Sequence, residues 1–324
     1  MSTTVKSVDY QKTVLMSGVR AVDLALAPGI EVEPTGGPCG VFLRGIDLQD
    51  ELDGHQIYSL ISVFNHSGLM ILRGQNRLTP ERQCEVVEWF GRRFYRGAAG
   101  DKLAMVGDLP LQLLSNRDTR KPGKQVISVE DDPYNSATQP LFWHSDVQDY
   151  AVPPDVTVLH GAEIPPPEAG GRTHFVNMYQ AFDELDDETR KLVRHMKWRP
   201  ASTYATMKGV KQAAAMQNTA EDKGSDVIHP VVRTHPVTGR LALWITPGFT
   251  VKLEGFEHAP EQGEELLKRL KKHMTQPHLI YSHTWRQHDV IFWDNRCVMH
   301  ERDSWDRNYL REMHRAQAGG SRPF

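Results

Sequence analysis

Apolar positions first fall into a regular pattern near residue 53, where Ile57, Leu60, Ile61 and Phe64 recur at helical spacing. The apolar run Leu69–Arg73 follows as a strand candidate. Thr79-Pro80-Glu81 then opens a second helix, with Thr79 able to cap, Pro80 suited to the first helical position, and Val86, Val87 and Phe90 supplying the buried stripe. Short apolar runs, mostly bounded by Gly, Pro or Asn, predict strands at Val156–His160, Thr173–Val176, Val227–Arg233, Leu241–Ile245 and Asp289–Trp293. Two amphipathic helices interrupt them: one presents Leu185, Leu192, Val193 and Met196, the other Leu266, Leu267, Leu270 and Met274. The pattern predicts a mainly β fold, a sandwich or barrel, with flanking helices that buttress one sheet.

Residues 1–40 are weakly patterned and end in the Pro/Gly cluster Pro34 to Gly40, so they read as an N-terminal extension to a single domain over 41–324. Residues 96–140 are rich in Gly, Pro, Asn, Asp and Lys with few periodic apolar positions, which predicts a long loop that could serve an enzyme as a lid. A formal charge of -3 on 324 residues lacks the basic excess that drives nucleic-acid or anionic-membrane binding. Cys39, Cys84 and Cys297 are dispersed and odd in number, forming neither a disulfide framework nor a paired zinc motif. The N-terminus lacks the apolar core of a signal peptide and no stretch is long enough to span a bilayer, so a cytoplasmic location is expected.

Candidate chemistry lies in three segments. In Leu141-Phe142-Trp143-His144-Ser145-Asp146, a strand's two-residue period puts the imidazole and the carboxylate on one face, within reach of one metal. Alone this is weak, because a chain with 15 histidines holds roughly one such tripeptide by chance. The second segment is the buried-strand run Ile291-Phe292-Trp293-Asp294-Asn295-Arg296, with His300 just past its end. His300 can complete a facial triad of two imidazoles and one carboxylate, the set with which non-haem ferrous oxygenases leave three cis positions open; in isolation it reads more readily as a surface or satisfied core histidine. In the third, Leu310 to Arg315, strand periodicity sends Arg311, Met313 and Arg315 to one face, where two guanidinium forks would require anionic partners. A helical turn with both arginines in solvent fits the same spacing.

These segments, with Gly170-Gly171-Arg172-Thr173 between them, resemble the taurine/2-oxoglutarate dioxygenase family, which includes the dioxygenases of aryloxyalkanoate herbicides. That family shows, in order, WHxD, a GGxT threonine, a WDNR strand with a following histidine, and two C-terminal arginines. Softer matches are Gly45-Ile46-Asp47-Leu48, Leu72-Arg73-Gly74-Gln75, Pro230 to Pro236 and Thr238-Gly239-Arg240, so the likeness runs over roughly residues 40–324. It implies a double-stranded β-helix (jelly-roll) core, Fe(II) as metal, 2-oxoglutarate and O2 as cosubstrates, and a homo-oligomer. His144, Asp146 and His300 would be the iron ligands, Arg311 and Thr173 would hold the distal carboxylate of 2-oxoglutarate, and Arg315 would face the substrate or the metal-bound carboxylate.

The implied reaction decarboxylates 2-oxoglutarate to succinate and CO2 and oxidises a C–H bond of a small anionic organic substrate, most simply by hydroxylation. Beside a heteroatom this leads to C–S, C–O or C–N cleavage; a biosynthetic oxidation or desaturation in secondary metabolism is the alternative outcome. Retention of Asp146 argues against halogenation. Residues 96–140 align with no family motif, so substrate specificity is not carried over. Readings from other classes are a non-catalytic metal or small-molecule binding barrel, which succinate formation would exclude, and a zinc hydrolase, for which no general base is evident. Trp143, Phe292 and Trp293 read as core, His174 as structural on the face opposite Thr173, and Lys268, Arg269, Lys271 and Lys272 as a solvated helix face.

Overall fold

The computed structural model describes residues 10–13, 22–94, 105–118, 123, 126–127, 141–200, 227–247 and 250–324. In chain order the first strands are β1 (Tyr10–Thr13), β2 (Val22–Ala25), β3 (Glu31–Pro34), β4 (Val41–Arg44), β5 (Leu69–Leu72) and β6 (Gln112–Ser115). Next come β7 (Leu141–His144), β8 (Val156–Glu163), β9 (Thr173–Asn177), β10 (Lys197–Pro200), β11 (His229–Pro230) and β12 (Val232–Thr234). The last are β13 (Leu241–Leu243), β14 (Thr250–Leu253), β15 (Ile280–His283), β16 (Val290–Asp294), β17 (Val298–Arg302) and β18 (Glu312–Ala318). The helices are α1 (Gly54–Ser67), α2 (Pro80–Glu88), α3 (Met178–Asp183), α4 (Asp187–Val193) and α5 (Pro260–Met274).

Seven strands form a large sheet in the order β3-β4-β5-β16-β8-β18-β6, and four form a small one, β15-β9-β17-β7. The turn Asn295–Cys297 carries the chain from β16 in the large sheet directly into β17 in the small one. Strands β5 and β16 are buried throughout, because layers cover both faces of the large sheet. One face joins a core with Phe175, Ile291, Trp293, Val298 and Met313, onto which Leu266, Leu267 and Leu270 of α5 also pack. The other face, with Met70, Val158, Phe292 and Ala316, is covered by Leu60 and Phe64 of α1 and Val86 and Val87 of α2.

Local signals explain the helix starts. The Thr79 hydroxyl accepts the Arg82 amide at 3.2 Å, with Pro80 in the first turn, and Asp53 forms a reciprocal capping box with Gln56. Other expectations need correction. The chain before residue 41 is not a bare lead-in, since β3 pairs with β4 and Leu24, Leu26 and Ile30 enter the core. Within 96–140 the described stretch 105–118 contains β6, paired with β18; the remainder, apart from residues 123 and 126–127, lies outside the described residues. The expected strand Val227–Arg233 divides at Val231 into β11 and β12. Leu192 is 49% exposed because α4 starts at Asp187 behind its Asp186 cap, a register that buries Thr189 and Val193.

Candidate metal centre

His144 ends β7 and faces His300 of β17 as its direct cross-strand neighbour, with ring centroids 4.2 Å apart. His300 thus lies within a strand, not just beyond one as the sequence suggested. Asp146 is not on the strand either: it sits in the turn after β7, and Val147 adopts φ 55° immediately behind it. A β-branched residue at positive φ is strained, and here it accompanies the reversal that returns the carboxylate toward the imidazoles. One donor atom from each of His144, Asp146 and His300 lies within 4.8 Å of the other two, all three residues being buried. His144 Nε2 is 3.8 Å from Asp146 Oδ1.

The surroundings prepare each donor. His144 Nδ1 donates to the Phe142 carbonyl at 2.6 Å, which fixes the tautomer and leaves the Nε2 lone pair directed inward. Burial lowers the His144 pKa despite the attraction of Asp146; burial and the neighbouring His144 push His300 down to about 3, so both rings are neutral at neutral pH. Burial alone would raise Asp146, but Arg315, the two imidazoles and the Thr157 hydroxyl together hold it below the usual carboxylate range. Thr157 of β8 donates to Asp146 Oδ2 at 2.6 Å, Arg315 Nη1 of β18 donates to Oδ1 at 3.1 Å, and the Asp146 amide donates to Asn295 Oδ1 at 3.2 Å. Asn295 Nδ2 and Gln317 Nε2 in turn donate to the Thr157 hydroxyl.

Two neutral imidazoles and an ionised carboxylate, with a buried His300 Nδ1 that has no hydrogen-bond partner among the described residues, suit a divalent ion that accepts mixed N/O ligands. A second group, His235, Asp294 and Cys297, satisfies the same distance limit but is already committed. Its His235 Nδ1 accepts the Val237 and Thr238 amides, so Nε2 carries the proton that it donates to Asp294 at 3.0 Å, and Arg296 grips the same carboxylate through Nε and Nη2. That cluster is an internal ion pair with no imidazole lone pair to offer.

Arg315 lies on β18 and Arg311 directly precedes that strand, so the segment is extended and not a helical turn. Arg315 and Met313 point between the sheets as strand alternation requires; Ala316 and Ala318 pack on the opposite face. Arg311 is buried, lies over Trp305 at 5.2 Å, and has its backbone amide held by Asn116 Oδ1 at 2.9 Å. Burial, and then the charge of Arg302, drive its pKa well below the ordinary arginine value; no carboxylate is paired with it among the described residues. The Gly170-Gly171 motif makes room beside it. Both glycines have positive φ, and a Cβ on Gly171 would come within 3.3 Å of Trp305 and 3.7 Å of Arg311. Two residues on, the buried Thr173 accepts the Trp285 indole N–H at 2.9 Å. His174, as expected, is on the other face, bridging Ser282 and Asp303.

The sequence did not single out Thr157, Gln112, Asn116, Trp285, Trp305 or the buried Arg302. A signal existed for Gln112 and Asn116: the run Leu111 to Ser115 between Pro110 and Asn116 is a strand pattern, masked by its Gly- and Pro-rich flanks. Trp143 and Trp293 are core residues, the latter 4.7 Å from the His300 ring, whereas Phe292 belongs to the core on the far side of the large sheet.

Residues 26–317 match the family described as "Taurine catabolism dioxygenase TauD, TfdA family". An (S)-phenoxypropionate/alpha-ketoglutarate-dioxygenase of Delftia acidovorans is 30% identical over 295 residues, covering 90% of this chain and 95% of the relative. An alpha-ketoglutarate-dependent sulfate ester dioxygenase of Pseudomonas putida is 27% identical, covering 86% of each. Among solved structures, AAD-2 in complex with Mn(II) and N-oxalylglycine superposes with a TM-score of 0.74 at 26% identity, over 91% of this chain and 98% of that one. Among the described residues no helix is long and apolar enough to cross a membrane.

Proposed function

Because the chain belongs to the taurine catabolism dioxygenase family and is thereby an Fe(II)- and 2-oxoglutarate-dependent dioxygenase with a jelly-roll core that uses O2, we propose that His144, Asp146 and His300 hold its iron and that it oxidises a C–H bond of a small organic anion. The observation that carries this reading is the convergence of one donor atom from each of those three buried residues. With 2-oxoglutarate and O2, the bound iron supplies the oxidation, and succinate and CO2 leave.

The chain's own groups bind and orient. Arg311 is a buried cation awaiting an anion, the role of a fork for the distal carboxylate of 2-oxoglutarate. Thr173 supports the same end: its oxygen already accepts from Trp285, which leaves its hydroxyl proton to donate. Arg315 faces Asp146 and serves the metal side of the pocket. Trp305 and Trp285 support Arg311 and Thr173, the first stacked under the guanidinium and the second bonded to the hydroxyl. The substrate class follows from the relatives, which act on a phenoxypropionate and on sulfate esters. We place 41–324 in one catalytic domain, to which β3 and the core residues Leu24, Leu26 and Ile30 also belong, and the protein in the cytoplasm, which suits three buried, unpaired cysteines.

Anaerobic addition of 2-oxoglutarate to the ferrous protein tests the assignment by its visible charge-transfer band. Wild type should develop the band and His144→Ala should not. A wild-type protein without it, or an undiminished band in the variant, overturns the ligand set. Succinate formation without any band would point to a metal held elsewhere.

A further inference from the structure

We infer that Gln112 is a positioning residue for the metal-binding carboxylate, acting through Arg315; this rests on the assignment of Asp146 as a metal ligand. Gln112 lies on β6 directly across from Arg315 on β18. Its side-chain Oε1 accepts from Arg315 Nε at 2.8 Å and from Nη2 as well, while Nη1 of the same guanidinium reaches Asp146 Oδ1 at 3.1 Å. A guanidinium is rigid and planar, so fixing one edge fixes the direction of the other. The second carboxylate oxygen is held separately by Thr157. Gln112 therefore determines where Arg315 meets Asp146, and with it the direction in which Oδ1 can face a metal.

The carboxamide suits this task for an electrostatic reason. As a neutral acceptor it satisfies two guanidinium N–H groups without drawing charge away, so the cation remains available to Asp146. A glutamate there would divide Arg315 between two carboxylates; a leucine would remove the acceptor that Gln112 offers to Nε and Nη2 in a site where Arg315 is only 15% exposed. The backbone of Gln112 is braced on both sides, by β18 and by a bridge to Met105, so the carboxamide is held in register with Arg315. Nothing in the residue type marks this role; it arises from cross-strand register.

Metal affinity of the apo-protein provides the test, read by Mn(II) electron paramagnetic resonance and calorimetry. Gln112→Leu, or the nearly isosteric Gln112→Met, should bind Mn(II) about tenfold more weakly than wild type, the usual scale for removing a group that orients a metal ligand. Arg315→Met should lose at least as much, and adding Gln112→Leu to it should cost nothing further, since both act through one guanidinium. Circular dichroism and thermal melting identify the folded variants used in the comparison. Mn(II) affinity within twofold of wild type in a folded Gln112 variant overturns the inference, and so do losses that add in the double variant. A wild-type protein that binds no Mn(II) instead overturns the metal assignment, and this inference with it.

Discussion

Arg311 is costly to bury with no carboxylate beside it among the described residues. A guanidinium removed from water without a carboxylate forfeits hydration that stacking on Trp305 only partly restores. Arg311→Met should therefore leave the cosubstrate-free protein no less stable, and more stable by roughly 1–4 kcal/mol in urea unfolding, while weakening 2-oxoglutarate binding at least tenfold in calorimetry. Lower stability of the free variant would show that Arg311 is satisfied internally. The proposed metal set His144, Asp146 and His300, and Arg311 as the proposed carboxylate fork, could be singled out in the sequence because metal and carboxylate chemistry restricts which side chains can serve. Thr157 and Gln112 could not, because any hydroxyl or amide can form such bonds and only register gives them a partner.

At the level of elements, periodicity succeeded where a helix carried its own boundary signals. Pro260 and the stripe Leu266, Leu267, Leu270 and Met274 gave α5 a buried face that the structure retains. Leu185 was assigned to α4 although the Asp186 cap starts that helix after it, which shifted the inferred face and placed Leu192 inside. Leu270→Ala should accordingly destabilise by about 2–5 kcal/mol and Leu192→Ala by less than about 0.5 kcal/mol in denaturant titration; equal effects would contradict the observed packing. β6 escaped notice for a different reason. Four residues give too short a period to stand out in a stretch dominated by turn formers, and its identity comes from pairing with β18, about 200 residues later.

Across the whole molecule, several histidines are buried in their neutral form. Burial, reinforced by His314 and His288, takes His160 down to about 4, and burial takes His229 to about 4 against the pull of the Gln148 carbonyl. Between that value and the ordinary histidine pKa near 6.5, the unfolded chain binds protons that the native protein refuses. Stability therefore rises with pH in this window and falls on acidification, by up to about 1.4 kcal/mol per pH unit for each ring. Urea midpoints of the metal-free protein should decline steadily from pH 6.5 to 4.5; a flat profile would mean that these rings protonate in place.

The two imidazoles of the centre ride on the small sheet, whereas Thr157, Arg315 and Gln317, which steady the aspartate, belong to the large one. An ion held there, as proposed, would work as a caliper across the sandwich, since its donors keep their places only while the layers keep their separation. Loosening of the core between them, even with every strand still paired, would blunt the grip before it altered the outline of the protein.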